Sequence, residues 1–376
     1  MRVAVVTPGF SRSEREWAIP ALEALLCRLA AEHSATVFSL RYPAAGRYAF
    51  CGLTHQALGG GQRMGVASLG LVARAVRAIV AAHRRTPFDL LHAFWVDEPG
   101  LVAFIAGRLI RRPVIATLGG GELVHLPAAG YGTYGSRWRR AGIRLVLRSA
   151  TRVTAGSAYG RRLCMHEGAP PEHTHLAPLG VDVARFQPAP PPAGHPIIVQ
   201  AASLTPVKNQ ALLLDIVARV REACPTCCLL LAGDGPVRKE LEARAAALGI
   251  AEAVKWAGRV PHGNMPAFYA RGHLYLQTSH HESQGMALLE AMACGLPALG
   301  TPVGVAPEVA VAPAMNEPDT LAAQVVALLS DAPAYRAARK VAVATVAARF
   351  TLAEATARFT ALYREVSASS IARSSA

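Results

Sequence analysis

Residues 280–295 read HHESQGMALLEAMACG, a polar loop with a glycine that turns into an apolar helix. Residues 286–294 are strong helix formers, and Gly295 followed by Pro297 predicts the end of the helix. A strand-like apolar run at 274–277 precedes the loop. This order of strand, loop and helix is the unit from which parallel α/β sheets are built.

The same stretch holds two carboxylates, Glu282 just before the predicted helix and Glu290 one to two turns inside it. The backbone N–H groups of Gly285, Met286 and Ala287 have no partners inside the helix and lie at its positive end, so they favour an anion. Acids on both sides of an anion site fit a nucleotide sugar, whose hydroxyls flank a diphosphate. Alternatively both acids are structural, since acids are common at helix starts. An ionised glutamate in so apolar a helix is costly unless a group donates hydrogen bonds to it, which favours a bound ligand as the donor.

Strand-like runs alternate with helical stretches in both halves of the chain. We predict an α/β fold with two doubly wound parallel sheets facing each other across a cleft. The expected strands are 3–7, 35–40, 90–94, 114–118, 152–155, 196–201, 228–232, 253–256, 274–277 and 296–300. The helical tail is expected to pack through Phe350, Leu352, Phe359, Leu362 and Tyr363.

Residues 187–196, QPAPPPAGHP, cannot continue a helix or a central strand, which predicts a stiff connection between the domains. We therefore expect domains at 1–188 and 189–350, followed by a final segment at 351–376. Ligands of open parallel sheets collect at the carboxyl ends of the strands, where the loop of Glu282 begins.

Composition excludes several classes of protein. A chain of 376 residues with 52% hydrophobic content is too long for one ordinary core. No apolar run reaches the roughly 20 residues needed to span a bilayer, and the amino terminus resembles a buried strand instead of a signal peptide. We expect a cytoplasmic protein with reduced cysteines. Cys224 and Cys227 form a Cys-x-x-Cys pair without a second pair, so they are interpreted as structural.

The net charge of +14 is concentrated in the first half of the chain. Residues 1–188 hold 23 arginines and 11 acids (+12), whereas 189–376 hold 16 basic residues and 14 acids (+2). The densest region, 137–152, mixes arginines with Trp138 and aliphatic residues, as in a helix that lies on an anionic membrane. A solvated helix face is the alternative. No zinc-finger spacing, aromatic RNA-binding motif or basic heptad pattern indicates nucleic acid.

Lys208 lies in the loop SLTPVK at 203–208, between a predicted strand and the next helix. An isolated loop lysine is usually a surface residue, but this one lies where a strand ends, the position of the proposed phosphate site. Arg259 and Val260 also follow a strand, and their backbone is a candidate contact for a base edge. The sequence has no Asp-x-Asp, which predicts that no metal carries the diphosphate. It also lacks the glycine-rich loops of dinucleotide and P-loop enzymes. His92, His125, His280 and His281 are each interpreted as structural or surface histidines.

The chain resembles a family 4 glycosyltransferase of the GT-B fold, with two Rossmann-like domains, over nearly its whole length. The resemblance rests on the loop at 203–208, AGDGP at 232–236, AGRV at 257–260, Glu-x7-Glu at 282–290 and LGVD with Phe186 at 179–186. It implies a retaining, metal-independent transfer of a sugar from a nucleoside diphosphate. It also implies an acceptor-binding first domain, a donor-binding second domain and a last helix that crosses back to the first.

Carried over by motif, Glu282 holds the hydroxyls of the donor sugar, Lys208 the diphosphate and Glu290 the ribose. Glu282 and Lys208 are the residues expected to support catalysis. The full donor site is expected to comprise Gly9, Ser203, Lys208, Arg259, Val260, Glu282, Ser283, Gln284, Gly285, Met286, Ala287, Leu288 and Glu290. The chain departs from the family pattern where Ser203 replaces an arginine, Gln284 a phenylalanine and Gly119 a histidine, and where Gly9 is all that is left of a glycine pair.

We therefore predict a cytoplasmic glycosyltransferase without a cofactor, acting on a saccharide or lipid-linked saccharide in surface polysaccharide or glycolipid synthesis. The basic first domain suggests peripheral contact with the inner face of an anionic membrane. Two alternatives remain, a nucleotide-sugar epimerase of the same fold and a non-catalytic protein that binds a glycan or nucleotide.

Overall fold

The structure is a computed structural model that describes residues 1–13, 16, 18–61 and 66–374. The chain forms two compact units. The first contains Met1–His125, Gly132–Gly180 and the chain from Leu352 onward, and the second contains Leu126–Tyr131 and Val181–Thr351. Each unit holds one sheet with helices on both faces, which confirms the predicted α/β class with two doubly wound units.

The first unit is built on a mostly parallel sheet. Its strands are β1 (Arg2–Gly9), β2 (Ser34–Tyr42), β3 (Gly46–Phe50), β4 (Leu53–Ala57), β5 (Leu90–Phe94), β6 (Val114–Thr117), β7 (Arg152–Ala155) and β8 (Thr174–Leu176). Their order is β3-β4-β2-β1-β5-β6-β7-β8, and only β3 and β4 pair antiparallel. Its first helices are α1 (Pro20–Leu29), α2 (Val66–Arg85), α3 (Glu98–Ile110), α4 (Arg137–Ser149) and α5 (Ala158–His166).

Strand β1 shows how both faces of this sheet are covered. Val3 and Val5 pack in one core with α1 and the last helix of the chain, whereas Ala4 and Val6 pack in a second core with α2 and α3. Successive side chains of a strand point to opposite faces, so a strand buried on both faces reads as a continuous apolar run. Because its residues form such a run, strand β1 could be predicted from the sequence alone.

The second unit has a parallel sheet of five strands. These are β9 (Ile197–Ala201), β10 (Cys228–Ala232), β11 (Val254–Gly258), β12 (Leu274–Gln277) and β13 (Ala298–Gly300), in the order β11-β10-β9-β12-β13. The remaining helices are α6 (Gln210–Ala223), α7 (Arg238–Ala247), α8 (Met265–Tyr269), α9 (Met286–Ala293), α10 (Ala306–Val309), α11 (Pro318–Ser330), α12 (Ala332–Arg349) and α13 (Leu352–Ser374), the last of which belongs to the first unit. Helices α6 and α11 pack on one face of the sheet, and α9 and α12 on the other.

All ten predicted strands are present, with ends that differ by at most two residues. The sequence did not predict β3, β4 and β8. Strands β3 and β4 form a hairpin whose turn residues, Cys51 (φ 47°) and Gly52 (φ 74°), both have positive φ. Such turns usually carry Asn or Gly at the first position, so a cysteine there gives no turn signal.

The proline-rich stretch does not connect the two units. The chain passes from the first unit to the second after Gly180, before the expected boundary at 188, and 187–196 lies within the second unit. Ala189 N donates to Cys294 O at 3.2 Å, and His273 Nε2 lies 3.1 Å from Pro192 O. The stretch belongs to the second unit because its backbone forms hydrogen bonds there. A segment without helix or strand periodicity gives no sign of such contacts in the sequence.

Two buried histidines make the stability of the first unit sensitive to pH. His92 Nδ1 lies 2.8 Å from Tyr363 Oη, and its Nε2 lies 2.7 Å from Thr117 Oγ1. His55 Nε2 lies 2.7 Å from Ser39 Oγ. Burial lowers the pKa of His92 to about 3 and that of His55 to about 4.

The unfolded chain takes up these two protons near the ordinary histidine pKa of about 6.5, but the folded chain does not, so stability falls as the pH drops below that value. At pH 5 we expect each histidine to cost about 2 kcal/mol of unfolding free energy relative to pH 7.5. Urea unfolding at the two pH values measures the loss, and His92→Gln and His55→Gln should each reduce it. A loss of the same size in both variants and the parent would contradict this assignment.

Candidate functional site

Lys208 and Glu282 lie together at the carboxyl ends of two neighbouring strands of the second unit. Lys208 Nζ donates to Glu282 Oε1 at 2.6 Å, and both side chains are partly buried, with 23% and 18% exposure. Ser279 Oγ donates to the same carboxylate oxygen at 2.7 Å. The structure thus joins the two residues to which the sequence assigned sugar and phosphate binding.

Backbone contacts hold the loops that carry this pair. Lys208 ends a single turn of 3-10 helix after β9, and Glu282 follows β12. His280 N donates to Val207 O at 2.8 Å, and Thr278 Oγ1 donates to Lys208 O at 3.1 Å. Because β9 and β12 are adjacent in the sheet, short loops are enough to bring the lysine and the glutamate together.

The helix after Glu282 begins as an anion site requires. Gly285, the N-cap residue of α9, has φ +99° and contributes no side-chain cap. A Cβ atom at Gly285 would also lie 2.9 Å from Gln277 Oε1, so glycine is needed for both backbone conformation and space. Val305 N donates to Gln284 O at 2.7 Å and fixes the approach to the helix. The first amides of α9 have no partner within the helix and lie at its positive end, which favours a phosphate or carboxylate there.

Glu290 is held by two side chains that the sequence pattern did not indicate. His262 Nε2 lies 2.9 Å from Glu290 Oε1, and Tyr269 Oη donates to Glu290 Oε2 at 3.2 Å. The expectation that a buried glutamate in an apolar helix needs donors is thus met by the protein itself. Neither the spacing nor the composition around His262 signals this contact, because it joins a loop after β11 to the middle of α9.

The other predicted donor residues divide into three groups. Ser283, Gln284, Met286, Ala287 and Leu288 lie on the α9 segment, where Leu288 is fully buried and could contribute only through its backbone. Ser203 and Arg259 are exposed, and Val260 packs against the core that contains α9. Gly9 lies in the first unit, at the end of β1.

The loop glycines of the AGDGP motif allow two neighbouring loops to approach closely. Leu204 N donates to Asp234 O at 3.1 Å, and a Cβ atom at Gly235 would lie 2.9 Å from Leu204 N. The motif therefore supports the position of the 203–208 loop.

Gly119, where the family pattern has a histidine, is explained by Trp95. A Cβ atom at Gly119 would lie 2.8 Å from Cγ of the Trp95 indole, closer than real Cβ contacts. The indole therefore occupies the room that a side chain at position 119 would need. Glu122 holds the same loop, because its carboxylate accepts hydrogen bonds from the backbone N–H groups of Val96, Gly119 and Gly120. Burial raises the pKa of Glu122 to about 7.

The four histidines considered from sequence lie in different surroundings. His92 and His281 are buried, whereas His280 and His125 are exposed. The ring of His281 lies 5.9 Å from that of Tyr131, and His92 belongs to the buried polar network of the first unit. The interpretation of these residues as structural or surface histidines agrees with their positions.

Two family models of glycosyltransferases match the chain, one in each half. A family model described as "Glycosyltransferase Family 4" matches residues 21–185, and one described as "Glycosyl transferases group 1" matches residues 184–342. Together the two models span most of the sequence.

Two curated relatives and one solved structure illustrate the likeness. Over 147 residues the chain is 32% identical to a subunit of the phosphatidylinositol N-acetylglucosaminyltransferase of Arabidopsis thaliana, an alignment covering 39% of this chain and 33% of the relative. It is 28% identical over 227 residues to the GDP-mannose-dependent alpha-(1-6)-phosphatidylinositol monomannoside mannosyltransferase of Mycolicibacterium smegmatis, covering 55% and 57%. The chain thus spans between a third and just over half the length of these relatives.

The solved structure is that of Anabaena Alr3699/HepE in complex with UDP and glucose. It superposes with a TM-score of 0.76 over 97% of this chain and 100% of that one, at 20% identity. At this identity the likeness shows the fold alone.

Proposed function

The chain belongs to the family 4 glycosyltransferases of the GT-B fold, and from this premise we propose that it moves a sugar from a nucleoside diphosphate to a saccharide or lipid-linked saccharide. The observation that carries the proposal is the Lys208–Glu282 pair beside the start of α9, whose N-cap residue is Gly285. A cation and a carboxylate from two neighbouring loops lie at the start of one helix, whose first amides have no partner within the helix. They match a donor that presents phosphate next to sugar hydroxyls.

Lys208 has donors enough for two partners. An ammonium group carries three N–H bonds, so Lys208 can keep its bond to Glu282 and still donate to a phosphate oxygen. The amides of Gly285, Met286 and Ala287 add uncharged donors at the positive end of the helix. Together they supply the charge stabilisation that a departing diphosphate needs.

The proposed reaction retains the configuration of the sugar. The acceptor hydroxyl attacks the anomeric carbon from the face that the diphosphate leaves, and the leaving phosphate oxygen takes the proton of that hydroxyl. The glycosidic bond forms as the bond from the sugar to the phosphate oxygen breaks, so no protein nucleophile is needed. Because the charge grows on the phosphate in the transition state, Lys208 and the α9 amides lower the barrier most at that point.

A panel of UDP-, GDP- and ADP-sugars tests the donor class. A ligand that binds the folded protein raises its thermal midpoint, by an amount that grows with concentration over Kd. We expect one nucleotide class to raise the midpoint, equally with and without EDTA, and to support sugar transfer to an acceptor. A free sugar nucleotide of changed configuration would instead indicate an epimerase, and saturable binding without turnover a binding protein.

A lipid-linked acceptor is supported by the relatives and by α4. The names of both relatives include phosphatidylinositol. Helix α4 contains no acid and buries Ile143, Val146 and Leu147. Its exposed residues include Trp138, at 80% exposure, Leu145 and five arginines, 137, 139, 140, 144 and 148. A basic surface with an exposed tryptophan fits the headgroup region of an anionic membrane.

The contact proposed here is peripheral. Among the residues that the structure describes, no helix combines the length and the apolar character needed to cross a bilayer. Arg144 also has a protein partner, since it forms an ion pair with Glu167 at 2.9 Å. Trp138 and the arginines of the first turn are therefore the residues expected to meet the membrane.

Vesicle flotation tests the membrane surface. We expect the protein to float with phosphatidylglycerol-containing vesicles, not with pure phosphatidylcholine, and less strongly at high salt. Since one arginine near an anionic surface contributes about 1 kcal/mol, Arg137→Ala should weaken partitioning about fivefold. Arg336→Ala, on an exposed position of α12, is the matched control. Equal flotation with both lipids would remove the proposal.

A further inference from the structure

We infer that His262 is a positioning residue that sets the nucleotide affinity of the donor site by holding Glu290, and that the turn around Asp182, Arg185 and Phe186 holds His262 in place. The inference rests on the proposed function, in which Glu290 binds the ribose of the donor. It assigns a role to the LGVD segment with Phe186, which carried the family resemblance but had no part in the chemistry.

The two bonds to Glu290 fix its carboxylate without saturating it. His262 Nε2 lies 2.9 Å from one oxygen, and Tyr269 Oη donates to the other at 3.2 Å. Each carboxylate oxygen can accept a second hydrogen bond. Glu290 can therefore still accept from two hydroxyls of a ribose while its side chain is held in one orientation.

Arg185 determines which nitrogen of His262 carries the proton. Arg185 Nη1 lies 3.4 Å from His262 Nδ1. A guanidinium group can only donate, so Nδ1 accepts and the ring proton is on Nε2, facing Glu290. Burial, followed by the charge of Glu290, raises the pKa of Tyr269 well above its usual value, so the phenol also remains a donor. Both contacts to Glu290 thus come from N–H or O–H donors.

Phe186 supports both donors. Its side chain is buried, and its ring centroid lies 5.4 Å from that of His262 and 6.3 Å from that of Tyr269. The turn that presents it is closed by Phe186 N donating to Asp182 O at 2.8 Å and Arg185 N donating to the same oxygen at 3.0 Å. A short turn with an aspartate, an arginine and a phenylalanine therefore fixes the ring that orients Glu290.

Loss of the His262 contact is expected to affect nucleotide binding and not the chemical step. Glu290 lies in the interior of α9, whereas the leaving-group contacts come from its first amides and from Lys208. Loss of the His262 contact should therefore raise KM and the Kd of the nucleoside diphosphate, with little change in kcat. A general loss of folding would instead lower the amount of active protein and leave the ribose preference unchanged.

The experiment compares nucleotides with and without ribose hydroxyls. Calorimetry with UDP, GDP and ADP identifies the best ribonucleotide, and its 2′,3′-dideoxy counterpart then serves as the reference. We expect His262→Ala to weaken the ribonucleotide about tenfold and to leave the dideoxy form nearly unchanged. His262→Gln, whose amide N–H can replace Nε2–H, should recover part of the loss, and Arg185→Ala should cause a smaller one.

Three outcomes are decisive. A ribose preference that is unchanged in a folded His262→Ala protein, while Glu290→Gln abolishes it, would overturn the inference and leave the proposed function intact. An unchanged preference in Glu290→Gln as well would contradict the ribose assignment itself. If His262→Ala fails to fold, an unchanged ribose preference in both His262→Gln and Arg185→Ala overturns the inference.

Discussion

Replacement of Lys208 by alanine should lower kcat by about 10²–10³-fold, the usual effect of removing one donor that stabilises a developing negative charge. The reason is that the ammonium group acts on a diphosphate whose charge increases as the bond to the sugar breaks. Steady-state sugar transfer with the donor identified by the panel measures the effect. Because Lys208 is partly exposed in a loop after β9, the fold should survive the change.

Two further variants make the result specific to position 208. Lys208→Arg keeps the charge but not the compact ammonium group, so we expect intermediate activity. Lys239→Ala removes an exposed lysine of the same unit and should leave turnover unchanged. Near-normal kcat in Lys208→Ala, with the thermal midpoint preserved, would contradict the role of Lys208.

Replacement of Glu282 by alanine is the second change with a large expected effect. We expect kcat/KM to fall by about 10²–10³-fold, because the carboxylate orients the donor sugar and the change also leaves Lys208 without its partner. Glu282→Gln keeps the shape and should lose less. Glu252→Ala, at an exposed position of the same unit, is the matched control.

The two residues should not behave independently, since their side chains are hydrogen-bonded at 2.6 Å. The double variant Lys208→Ala/Glu282→Ala should therefore lose less activity than the product of the two single losses. Strictly multiplicative losses would show that the ion pair in the structure does not link their functions.

Much of the donor side was predictable because it depends on local sequence. The helix expected at 286–294 is Met286–Ala293, and the strand before it is found at Leu274–Gln277. Its ends are determined by glycines and a proline, which act over a few residues. The position of Lys208 beside Glu282 follows from the general rule that loops at the carboxyl ends of parallel strands meet at one edge of the sheet.

The features that the sequence did not reveal depend on contacts between distant segments. His262 reaches Glu290 from another loop, and Trp95 fills the space beside Gly119, 24 positions further along the chain. Ser279 directly precedes the HHESQG loop, but a serine in a polar loop gives no sign of which carboxylate it contacts. The predicted domain boundary was wrong because the stiff proline-rich stretch was taken to separate the two domains. Its backbone instead forms hydrogen bonds within the second unit.

A crystal structure with the best-binding nucleoside diphosphate tests the central claim most directly. The account predicts that oxygens of the distal phosphate lie within about 3.2 Å of Lys208 Nζ and of the first amides of α9, with the ribose hydroxyls on Glu290. A diphosphate bound away from these amides, or one held by a divalent ion while Lys208 contacts only Glu282, would contradict it.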